Sequence, residues 1–200
     1  MKRWLLLLAL AAGVEAVSAA GRAEEILGGM AAGFRAMKGY DVDFEIVAGD
    51  YRAEGSYAVR GEGYALTLGD AEVYCDGKVR YEVDRARREV TIVGVDTTSR
   101  NLLSNPVRAF DLLGDDYRPE LLSETGGKAV VRLTPAAGDD AMAGAITVTV
   151  DTATMCPERL DYDYDGEQVR VTVRRVESST SPLDTCDTSR FEGYEWIDFR

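Results

Sequence analysis

The sequence predicts a mainly β protein (α+β), built on an antiparallel sheet with a little helix, and three observations carry that expectation. Between Val42 and Val93, apolar residues recur at every second position in six short runs. Turn chemistry separates those runs: Ala48-Gly49-Asp50, Arg60-Gly61-Glu62-Gly63 and Asp76-Gly77. The second half repeats the pattern in AVVRLTPA, AITVTVD, RLDYDYD and EQVRVTV, with Asp165-Gly166 as another hairpin turn. Period-two alternation turns one face of each strand to an apolar interior and the other to water. With a strand near Leu121, the chain offers about eleven strands and two helices.

Taken in order, the chain opens with a short basic start, Met1-Lys2-Arg3, an unbroken apolar run from Trp4 to Ala12, and small residues at Ser18, Ala19 and Ala20. That is the pattern of a secretory signal peptide, too short to span a membrane. Residues 1–20 are therefore expected to be a leader, cleaved after Ala20 or one residue earlier, and residues 21–200 a single domain. No cysteine stands at the cleavage point, so a soluble, exported protein without its own lipid anchor is expected.

Arg22 to Lys38 reads as a helix with Glu24 and Glu25 in its first turn and Gly39 as its stop. Ile26, Met30, Phe34 and Met37 form one apolar stripe. Gly28, Gly29 and Gly33 each weaken it by roughly 1 kcal/mol relative to alanine. Such a helix is either an ordinary core helix held by the sheet or a loosely held lid. Ser104-Asn105-Pro106 opens a second, short helix carrying Val107, Phe110, Leu112 and Leu113, ended by Gly114. Ser178 to Thr188 is a Ser/Thr/Pro-bearing loop, and the aromatic tail FEGYEWIDFR is expected to dock.

With 35 acids against 23 bases, the net charge is −12. Such a surface repels phosphate backbones and anionic headgroups, which argues against nucleic acid as a partner. The absence of histidine excludes His-based triads and the usual zinc sites. Cys75, Cys156 and Cys186 are an odd count; one disulfide plus one thiol is possible, with no pair singled out. Cys75, beside a hairpin, fits a small buried hydrophobe. Asp161-x-Asp163-x-Asp165-Gly166 has the opening spacing of a calcium loop, but Thr172 stands at the twelfth position and the flanks read as strands. Arg85-Ala86-Arg87-Arg88 reads as a solvated turn. With no phosphate loop and no GxSxG, neither catalysis nor a cofactor or metal is expected; a carboxylate-dependent hydrolase is the weaker alternative.

What remains is apolar surface. At roughly 25 cal/mol per Å², one greasy sheet face must be covered or must hold something. Either the helices close it, or a cavity for acyl chains results.

The order of features resembles the LolA-like periplasmic carriers of outer-membrane lipoproteins, in their divergent, Bacteroides-type form. The residues carrying the resemblance are Val73-Tyr74-Cys75-Asp76-Gly77-Lys78 with Tyr81, then Glu89-Val90-Thr91-Ile92, then Asn105-Pro106 with Phe110-Asp111-Leu112-Leu113. The closing Trp196-Ile197-Asp198-Phe199-Arg200 also resembles the end of those members. The resemblance implies an incomplete antiparallel β-barrel of about eleven strands with a helical lid. It also implies a monomer that takes acylated lipoproteins from an inner-membrane lipoprotein-releasing transporter to an outer-membrane acceptor. A lipid- or lipoprotein-binding sensor of the same fold is the alternative. Carried over by position, Tyr64, Leu66 and Leu68 would line the cavity, with Phe44, Ile46, Tyr57 and Tyr81. Ile26, Met30, Phe34 and Met37, together with Phe110 and Leu113, would close it. Better-studied members carry a lid-latching arginine just before the third strand; here Gly61-Glu62-Gly63 stands there, with Arg60 adjacent.

Overall fold

Alternating residues become strands of one sheet in the computed structural model, which describes residues 19–95, 107, 117–136, 144–164 and 166–200. Helix α1 (Ala19–Ala36) precedes β1 (Gly39–Ala48), β2 (Tyr51–Arg60), β3 (Gly63–Leu68), β4 (Ala71–Cys75), β5 (Val79–Asp84) and β6 (Glu89–Gly94). These are the six alternating runs. The second series is β7 (Tyr117–Thr125), β8 (Lys128–Pro135), β9 (Ile146–Asp151), β10 (Cys156–Tyr164) and β11 (Glu167–Ser178), and the tail adds β12 (Glu195–Asp198). The expected helix from Ser104 to Gly114 lies outside the described residues, apart from Val107.

The sheet order is β12-β6-β5-β4-β3-β2-β1-β11-β10-β9-β8-β7, with β12 and β7 at unjoined edges, so the barrel is incomplete. Antiparallel pairing of β1 with β11 welds the two meanders together. The aromatic tail docks as β12, running parallel to β6, with Trp196 opposite Val90. The Asp76-Gly77 turn follows its chemistry: Asp76 Oδ1 accepts from the amides of Lys78 and Val79 at 2.8 Å each, and Gly77 takes φ +90°.

Helix α1 is described from Ala19, three residues before Arg22, so Glu24 and Glu25 fall beyond its first described turn. It ends at Ala36, where the Met37 amide donates to Phe34 O at 3.1 Å and tightens the last turn. Gly39 is not its stop. It opens β1 in a close approach, where a Cβ would sit 2.5 Å from Arg60 Cδ and 2.7 Å from the Ser179 carbonyl oxygen.

Two cores flank the sheet. The larger lies between α1 and the inner face, where Ala23, Ile26, Leu27 and Met30 meet Val131, Val148 and their neighbours. The smaller lies on the outer face, where Tyr74, Val83 and Val90 are capped by Phe191. Phe191 comes from a short 3-10 turn, Thr188–Phe191, in the segment leading to β12. The Arg85–Arg88 connection is therefore more than a solvated turn. Arg85 Nε donates to the buried Glu72 carboxylate, and its guanidinium lies 5.7 Å from the Phe191 ring centroid. Arg88 lies 5.5 Å from that of Tyr194, and only Arg87 points away from the C-terminal segment into an ion pair with Asp84 at 3.6 Å. All three cysteines are free thiols, and Cys75 is buried as expected.

Candidate functional site

Strand registers assemble the inner face row by row, since directly paired residues share a face. Tyr40, Val59, Tyr64 and Cys75 form the first row; all four are buried. Val42, Tyr57, Leu66 and Val73 form the next, and Phe44, Gly55, Leu68 and Ala71 the third. Ile46 pairs with Ala53 one row further on. On the other side of β1, Val173 and Val171 of β11 continue the rows of Phe44 and Ile46. Burial thins along this direction: Phe44, Ile46, Tyr57, Leu66 and Leu68 are all half-buried. An aromatic file links the helix to these rows. Centroid distances are 5.0 Å from Phe34 to Tyr40, 6.1 Å from Tyr40 to Tyr57 and 6.2 Å from Tyr57 to Phe44. Gly55 leaves room for Phe44, whose Cζ lies 2.5 Å from where a Cβ would stand.

Charge enters this face at β5, where Arg80 pairs with Glu82, whereas its rows across β1 to β4 present phenols and a thiol but no charged side chain. Burial pushes the phenols of Tyr40 and Tyr64 up to about 12, and that of Tyr57 well above its ordinary value. All three stay neutral hydroxyls at physiological pH. Burial likewise raises the Cys75 thiol, which is the opposite of an activated nucleophile. Among the described residues, no cluster of acidic and cysteine side chains is placed to hold a metal. The chemistry on offer is apolar contact.

At the helix end of this face lies a pocket of about 350 Å³ between the last turn of α1, the start of β1 and Val107. Phe34, Met37, Tyr40 and Val59 line it, with Arg35 and Lys38 from the helix end. The sequence-derived lining residues thus divide. Phe34 and Met37 border the pocket; Phe44, Ile46, Tyr57, Leu66 and Leu68 share the open inner face; Tyr64 is sealed in the inner core at 1% exposure. Tyr81 is a correction. It pairs with Tyr74 and packs in the outer core, because the Asp76-Gly77 turn sets Cys75 against Arg80 and so turns Arg80 and Glu82 inward instead.

Of the closing residues, Ile26 and Met30 are fully buried and Phe34 nearly so, while Phe110 and Leu113 lie outside the described residues. Ala23 and Leu27, which the four-residue stripe omitted, are equally buried. The helix is anchored rather than loose at its first half: Arg22 donates to both Glu124 carboxylate oxygens on β7, at 3.0 and 2.7 Å. Arg60 is no latch to α1. Its five donor bonds go to the Tyr40 and Val59 carbonyls, Asp41, Ser179 Oγ and the Ser181 carbonyl, strapping β1 and β2 to the segment after β11. Tyr51 and Tyr164, about half exposed at 52% and 50%, extend the inner face at its open end. The alternation that turns Asp161 and Asp163 outward places Tyr162 and Tyr164 inward.

No family model matches the sequence, and no curated protein matches it. Solved structures do resemble the fold. An uncharacterized conserved protein of Thermus thermophilus superposes with a TM-score of 0.55 at 9% identity, covering 88% of this chain and 99% of that one. A LolA superfamily protein of Nitrosomonas europaea gives a TM-score of 0.39 at 13% identity over 80% of this chain and 94% of its own. LprF of Mycobacterium bovis gives 0.46 at 12% over 82% and 96%. The Thermus protein shares the fold across nearly its whole length.

Proposed function

We propose that this protein is an exported, non-enzymatic carrier that shields acyl chains of a lipid or lipoprotein on its inner sheet face. In the finer form of this reading, it works in the periplasm, accepting lipoproteins at the inner membrane and delivering them to an outer-membrane acceptor. The observation that carries it is the half-buried apolar face running from Tyr57 through Phe44 and Leu68, continuous with the core under α1 but not sealed by it. The neutral tyrosines along the aromatic file add no charge that would repel hydrocarbon.

Energetics favour partial shielding. Each methylene moved out of water is worth roughly 0.8 kcal/mol, so a fully enclosed multi-chain lipid would never leave. A face buried under the helix at one end and open at the other offers binding with a way out. The anchored first half of α1 and the pocket at its last turn make the C-terminal half of the helix the part that gives.

Native mass spectrometry of the protein purified from periplasm tests this. Co-purifying acylated peptide or lipid supports the carrier; clean protein with carbohydrate turnover would point to a hydrolase. Depletion tests the finer form, with lipoproteins accumulating at the inner membrane. Normal sorting on depletion, with acylated peptide still bound to the purified protein, would instead mark a sensor of the same fold.

A further inference from the structure

We propose that the Tyr64 hydroxyl is the hydrogen-bond donor for the acyl carbonyl of a bound lipid, the ester or amide oxygen where chain meets headgroup. This deepens the carrier reading and rests on it.

A missing partner carries the inference. Tyr64 is 1% exposed, and its Oη is buried with no hydrogen-bond partner among the described residues. Its electrostatic neighbours are the Cys75 thiol, a weak acceptor, and Arg80 and Glu82 of β5, which are paired with each other. The large majority of buried side-chain hydroxyls are bonded, because an unmade bond leaves the lost hydration uncompensated. Packing accounts for the ring of Tyr64 but not for its oxygen, since phenylalanine would fill the same space.

Position names the acceptor. The half-buried Leu66 stands two residues along on the same face of β3, so Tyr64 lies one row inside the open part of that face. In its own row Tyr64 pairs with Cys75, and Cys75 with Arg80. The phenol therefore stands where the uncharged rows of β1 to β4 give way to the ion pair of β5. An amphiphile laid across the strands, its chain over β1 to β4 and its headgroup toward β5, brings its linking carbonyl to that boundary. Burial pushes the phenol up to about 12, so it keeps its proton and can only be a neutral donor at physiological pH. A neutral carbonyl suits it better than an anion, whose desolvation one hydroxyl does not offset. The bond is unmade in the unloaded protein and made on loading.

The experiment uses the exported protein stripped of co-purifying lipid and loaded with a fluorescent fatty-acid analogue. Displacement is measured with three uncharged lipids: monopalmitoylglycerol (an ester), palmitoylserinol (an amide) and hexadecylglycerol (an ether without a carbonyl). The carbonyl lipids should compete about tenfold better than the ether, and the tighter of the two identifies the linkage as ester or amide. Tyr64→Phe should bind all three alike and unfold at the same or a higher urea concentration, because it removes a group with an unmade bond. Infrared spectra of the parent with isotope-labelled carbonyl lipid should show the bound carbonyl band at lower frequency than in hexadecane. Equal competition by ether and carbonyl lipids, an unshifted band, or an undiminished preference in Tyr64→Phe overturns the donor and leaves the carrier intact. A clear loss of stability in Tyr64→Phe, which marks a structural bond, also overturns it. Failure of all three lipids to compete, with no acylated molecule in the native mass spectrum, overturns both readings.

Discussion

Tyr74 and Cys75 are neighbours in β4, both buried, at 5% and 4% exposure, yet they belong to different cores. Cys75 faces inward, into the core that also holds the buried side of α1; Tyr74 faces outward under Phe191. At β4 the buried side of the sheet changes, from the inner face to the outer face under the C-terminal segment.

That change of side separates two substitutions. Leu66→Glu places a charge on the open inner face and should abolish uptake of a fluorescent fatty acid while the protein is still exported and folded. Tyr81→Ala should leave uptake unchanged and lower stability by about 1–3 kcal/mol, because Tyr81 packs in the outer core. Displacement titrations and urea unfolding of both variants distinguish these outcomes, and loss of uptake in Tyr81→Ala would contradict the register.

The outer core should also be acid-sensitive. Burial alone would raise the Glu72 carboxyl, but bonds from Arg85 and Tyr74 and the charges of Arg85 and Arg190 outweigh it and hold it below its ordinary 4.5. A depressed folded-state value contributes stability that is complete above 4.5 and is lost as pH falls through the lower folded value. The urea midpoint should therefore drop in that acid range, and Glu72→Gln should flatten the drop. Its pH profile, compared with that of the parent, is the measurement.

Phe34 bridges the helix and the aromatic file, 5.0 Å from Tyr40. Phe34→Ala should cost about 3 kcal/mol and widen the pocket. Hydrogen exchange across residues 22–36 should quicken more than in β8 and β9; uniform acceleration would mean that the helix does not open separately.

Arg60 reaches five acceptors on three segments, with its side chain only 17% exposed. Arg60→Lys should lose about 1–3 kcal/mol, since an ammonium cannot reproduce that fork. Thermal unfolding measures the loss, and proteolysis near Ser179 should rise with it.

Local chemistry was enough to write much of this fold. Alternation marked β1 to β6, the Asp-Gly pair at 76–77 marked its hairpin, and the aromatic content of FEGYEWIDFR marked a docking tail. The stripe of Ile26, Met30 and Phe34 marked the buried side of α1. The same period of two also placed Phe44, Tyr57, Leu66 and Leu68 together on one face, although not how deeply each would be covered.

Tertiary structure decided the rest. A strand's alternation says that its faces differ, but not which face a distant segment will cover; Tyr81 was misassigned for that reason, and only the arrival of Phe191 settles it. Arg60 and Glu72 gain their roles from partners more than a hundred residues away, Ser179 and Arg190, so no local pattern could announce them. The pairing of β1 with β11 is likewise a contact between the two ends of the chain. Sequence sets which residues can share a surface, and long-range packing sets which surfaces are sealed and which stay open to a ligand.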